Sequence, residues 1–93
     1  MIVKNTKLLE LLESQLTFPT HYMHKVIGKN SEKFLAAVAA LLKTTVRLSV
    51  KSKKETANQA HVSITLELHA HSAHEVVFLI ERSQQLTDVL YVL

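Results

Sequence analysis

The apolar positions of the chain change period several times, and each change marks an element. Leu8, Leu9, Leu11, Leu12 and Leu16 recur at helical spacing between Lys7, Glu10 and Glu13, which predicts an amphipathic N-terminal helix. Asn5 or Thr6 can cap it. A helix this short is marginal alone, so its stripe must dock on its own domain or on a second subunit. The pattern stops near Thr17, and Phe18-Pro19 sets an extended entry to the next element. “HYMHKVIG” then reads as a strand over 20–28 closing at Gly28, the one glycine of the chain. Such a glycine is expected where φ must be positive or where backbones approach closely.

Asn30 or Ser31 can cap “EKFLAAVAALLK”, whose buried stripe is Phe34, Leu35, Val38, Leu41 and Leu42. The period then falls to two. Val46, Leu48 and Val50 alternate with Arg47, Ser49 and Lys51 as a half-buried strand. “SKKETANQA” follows as a polar loop long enough to be mobile. The clearest strand covers 62–70, with Val62, Ile64, Leu66 and Leu68 alternating against Ser63, Thr65, Glu67 and His69. “SAHE” at 72–75 has capping-box spacing, with Ser72 and Glu75 satisfying each other's amides. The helix it opens carries residues 76–80 and ends around 84–86, and “VLYVL” closes the chain as a strand.

Without the first helix, the order is strand-helix-strand-strand-helix-strand. That is an α+β, ferredoxin-like plaits layout (βαββαβ) with a four-stranded antiparallel sheet in the order 4-1-3-2. Two helices cover one face, leaving the other mostly polar. The chain divides into an N-terminal helix and linker over 1–17 and the ferredoxin-like domain over 18–93.

Composition narrows the function classes. Ninety-three residues hold one core, and 47% hydrophobic with 20% charged residues is globular. Having no cysteine excludes disulfides and thiolate metal or redox chemistry. No apolar run approaches the ~20 residues that span a bilayer, and Glu10 and Glu13 argue against a signal peptide, so a cytoplasmic protein is expected. The net charge of +3 is uneven: Lys43, Arg47, Lys51, Lys53 and Lys54 form a basic segment without an acid.

Three of six histidines fall in “HAHSAH” at 69–74. His69 and His71 share one side of a strand and could present two nitrogens to a transition metal. Glu67 is the one nearby oxygen donor on that face, and His61 lies about 26 Å up the strand. The plainer reading is a strand end, then a helix whose first turn holds His74. The basic segment could meet phosphates, but the third strand lacks the aromatics on which this fold stacks bases, so nucleic acid is set aside. “GKNSEK” has no arginine for an anion-cradling loop, and no acid, base and nucleophile are spaced for catalysis. His24 has core parity and is expected to be a hydrogen-bonded core histidine.

Several stretches together resemble one family. “LLE”, “FPTHYMHKVIG”, “HVSITLELHAHSAHEV” and “VLYVL” are similar to the YbeD-like bacterial family over residues 11–93. This small family of unknown function is sometimes labelled lipoate regulators from gene neighbourhood. The resemblance implies a fold like that of ACT-type regulatory domains, with no established enzymatic activity. Domains of that type pair sheets or helices between subunits and hold small ligands at the interface. This chain departs from the family at “SQLT”, which lengthens the link to Phe18, and in the loop before Val62.

The resulting expectation is a non-catalytic regulatory or protein–protein interaction module, not an enzyme, with no cofactor and no membrane contact. Its interface would use Leu8, Leu12 and Leu16 on the first helix and Arg47, Thr65, Glu67 and His69 on the open sheet face. A homodimer, a protein partner or both would fit, and a small ligand is possible. The alternative is a small-ligand or transition-metal sensor using residues 69–74, with His69 and His71 as metal ligands.

Overall fold

A computed structural model describes residues 6–93. In chain order the elements are α1 (Thr6–Gln15), β1 (Thr20–Lys29), α2 (Glu32–Thr44), β2 (Leu48–Glu55), β3 (His61–Ala70), α3 (Ala73–Ser83) and β4 (Val89–Val92). Asn5, the other candidate cap of α1, lies outside the described residues. The strands form one antiparallel sheet in the order β2-β3-β1-β4, the expected order read from its other edge.

Strand parity decides which face is covered. Val62, Ile64, Leu66, Leu68 and Ala70 of β3 are all buried, as are His24, Val26 and Gly28 of β1. They meet Phe34, Val38 and Leu41 of α2 and Val76 and Leu79 of α3 in one core. At about 25 cal/mol per Å² of apolar surface buried, this layer is the main stabilising term. The intervening β3 residues are half-buried or exposed and form the open face. α1 packs on α3, and Leu12 reaches the edge of the core.

Gly28 is used for a close approach of a different kind from that expected. Its φ is not positive. A Cβ there would lie 2.5 Å from the Phe34 ring, so the glycine makes room for a side chain. The left-handed positions are instead Arg47, Gln59 and Asp88. Ser31 caps α2 by accepting from the Phe34 amide (3.1 Å) and donating to the Asp88 carboxylate (2.8 Å), which ties the helix start to the turn before β4. The Phe18-Pro19 peptide is cis.

Two local expectations are corrected. Residues 52–55, read as loop, belong to β2, with a register shift between Val50 and Ser52. β2 is an edge strand, and here ladder hydrogen bonds hold residues whose side chains all face solvent. Its first half also starts later than expected, because Val46 lies outside the ladder. The capping box at α3 does not form. Ser72 is the N-cap residue but its side chain makes no cap hydrogen bond, while Glu75 accepts from the His71 amide (3.2 Å). The pull of Arg47 on the same carboxylate explains the shift.

Candidate functional site

The open sheet face has two halves of different character. Antiparallel pairing of β1 and β3 places His21 directly opposite His69. Their rings stack at 4.6 Å between centroids and 3° between planes. His71 meets His69 edge-on, at 5.3 Å and 84°. Glu67 sits one pleat along, with Lys51 Nζ 3.2 Å from one carboxylate oxygen and His21 Nδ1 3.7 Å from the other. Thr65 continues the same row opposite Lys25. This is the polar half.

The other half lies along β1 and β4. Tyr91 is opposite Ile27, and Leu93 exchanges both backbone hydrogen bonds with Lys25 (2.8 and 3.0 Å). Met23 is 51% exposed, Tyr91 62% and Leu93 69%. These large apolar side chains are exposed together on one sheet face and not scattered singly.

The expected site residues therefore go to three places. Thr65, Glu67 and His69 lie together on the open face. Arg47 turns to the sheet end instead: its Nε donates to the His69 carbonyl (3.0 Å) and its guanidinium pairs with Glu75 of α3. Its carbonyl also accepts from the His69 amide (3.0 Å), so it clips the end of β3 by backbone and side chain. Leu8, Leu12 and Leu16 are half-buried, and Leu12 packs within its own domain.

The five cations of the basic segment do not share a surface. Lys43 is on α2, Arg47 is ion-paired, and Lys51 reaches Glu67. After the register shift Lys53 is opposite Ile64 and Lys54 opposite Ser63, so these two have opposite parity.

His69 and His71 are neighbours, but the nearer partner of His69 is His21, which sequence reasoning missed. No local signal marks it; only the β1–β3 register brings residues 21 and 69 together. Ring nitrogens offer their lone pairs in the ring plane, so two parallel stacked rings do not converge on one ion without turning. Among the described residues no group of three or more His, Asp or Glu is arranged to hold a metal ion.

His24 lies on the covered face and is 1% exposed. Ser83 Oγ donates its one proton to the Leu79 carbonyl (2.7 Å), so toward His24 it accepts, and Nε2 carries the ring proton (3.0 Å). Nδ1 is left buried without a hydrogen-bond partner among the described residues. Burial pushes the imidazole down to about 4, because its charged form would be desolvated. Burial likewise pushes the neighbouring Tyr22 phenol up. His24 is thus a neutral core residue, hydrogen-bonded on one side.

Comparison with known proteins agrees with this architecture. A family model described as a protein of unknown function (DUF493) matches residues 13–93, and this is the YbeD-like family. The solution structure of protein HP0495 from H. pylori superposes with a TM-score of 0.71 at 19% identity, covering 85% of this chain and 86% of that one. The crystal structure of the ACT domain from the GTP pyrophosphokinase of Chlorobium tepidum gives 0.62 at 9% identity, covering 80% of this chain and 97% of that one. These similarities establish the ACT-like, ferredoxin-like fold. No curated protein sequence matches. No described helix is long and apolar enough to cross a membrane.

Proposed function

The chain belongs to the DUF493 family of proteins of unknown function, and from that premise we propose a non-catalytic regulatory or protein–protein interaction module whose open sheet face pairs with the same face of a second copy. The observation that carries this reading is the exposed apolar half of that face, formed by Met23, Tyr91 and Leu93 beside the half-buried Ile27. A two-fold axis through such a strip lets it cover itself, with Thr65, Glu67 and His69 at the polar side of the contact. α1 is the weaker candidate, because Leu12 is packed against its own core. A role in lipoate metabolism would enter as the identity of a further protein held by this module.

The alternative, a transition-metal or small-ligand sensor at residues 69–74, has less support, since the histidine rings stack rather than converge. Light scattering over a concentration series tests the main reading. Wild type is expected at the mass of two chains, and Met23→Glu/Tyr91→Glu at that of one, with an unchanged circular dichroism spectrum. Association should weaken at least about tenfold. A wild type of one-chain mass at every concentration, or a dimer indifferent to the double substitution, overturns the proposal.

A further inference from the structure

On the opposite side of the molecule a cavity of about 310 Å³ opens between the end of α2, the start of β2, and α3. Its floor is the buried Leu68, and its walls are Val46 and Phe78, both well exposed. Two guanidiniums line it, and their situations differ. Arg47 is neutralised by Glu75. Arg82 lies over the Phe78 ring at 5.4 Å and donates to the Thr44 hydroxyl (2.7 Å) and, more distantly, that of Thr45 (3.5 Å). It has no carboxylate partner among the described residues. Thr44 directs its own proton at the Ala40 carbonyl (2.9 Å), so it only accepts from Arg82. Of the five N–H groups of a guanidinium, those not given to the two threonines stay free.

From this we infer that the cavity binds a small monocarboxylic acid with a flat apolar body, its carboxylate on Arg82 and its body against Phe78, Val46 and Leu68. Charge sets the class: Arg47 and Glu75 cancel, which leaves the lining with one net positive charge. Glu75 is already satisfied by Arg47 and the His71 amide, so a ligand ammonium would find no partner. Size sets the scale. At about 310 Å³ the cavity is at the small end of ligand pockets, which suits a one-ring acid. A planar fork lying over Phe78, with Val46 and Leu68 in the same lining, suits a carboxylate carried on a ring. The site is independent of the open sheet face.

The probe is phenylacetate, followed by amide NMR shifts of the full chain. Residues 44–47, Phe78 and Arg82 should move together and saturate, and the neutral analogue 2-phenylethanol should bind at least about tenfold more weakly, the loss of a charge-assisted contact. Arg82→Gln and the exposed Phe78→Ala should each weaken phenylacetate by a similar factor, and Phe78→Ala retains the threonine contacts of Arg82. Absence of saturable shifts, equal response to the alcohol, or unchanged binding to Phe78→Ala overturns the inference.

Discussion

The two faces of one sheet are built from the same strands and obey different physics. On the covered face every even-numbered residue of β3 from Val62 to Ala70 is buried, and the one histidine admitted to that face, His24 of β1, is neutral and tied to Ser83. On the open face the histidines are solvated, stack on one another, and share their surroundings with Glu67 and Lys51. Position by position, covered residues are constrained by volume and by desolvation. Open-face residues are constrained by neither, which leaves them available for contact with something else.

Volume gives the largest expected effects. Phe34→Ala removes a fully buried ring and should cost about 3–5 kcal/mol in chemical denaturation. Gly28→Ala should cost about 1–3 kcal/mol by overpacking, since its new methyl would meet that ring. The two are coupled: added to Phe34→Ala, Gly28→Ala should cost little further, and fully additive losses would refute the close-approach account.

Desolvation is tested by pH. The folded value of His24, about 4, lies below the ordinary 6.5, so the unfolded chain binds more protons between them. Its contribution to stability is full above about pH 6.5 and is lost as pH falls toward 4. By pH 5 the loss should be about 2 kcal/mol. Urea denaturation of wild type and His24→Leu at pH 7 and pH 5 reads it directly. The variant should show a much flatter dependence; equal slopes would place the acid sensitivity elsewhere.

The smallest effect belongs to the sheet end. Arg47 and Glu75 are each about one-third exposed, so water screens their pair. A double-mutant cycle with Arg47→Ala and Glu75→Ala should return a coupling of about 0.2–1 kcal/mol in thermal or chemical melts. A coupling of several kcal/mol would mean that this corner behaves like the covered face.

Where burial leaves a period, the sequence was readable. The alternation at Val62, Ile64, Leu66 and Leu68 marked β3 and its buried side, and the core parity of His24 anticipated its burial and its hydrogen bond. β2 was misjudged where its own burial stops: residues 52–55 pair with β3 but are exposed on the edge strand, so no apolar alternation records them. The Ser72 and Glu75 spacing was present, yet Arg47, in the turn before β2, took the carboxylate. Gly28 was marked as special by its rarity, but not the ring it accommodates.

By itself the sequence determined the order of elements, the α+β class and the core-facing side of β1 and β3, because side-chain period is a local property of the backbone. The tertiary structure decided which distant residues meet. His21 on His69 is a consequence of strand register. Arg47 on Glu75 and Arg82 on Thr44 join residues 28 and 38 positions apart. Such contacts depend on register, on the bulge in β2 and on how the helices lie across the sheet, and none of these is written in the spacing of any single segment.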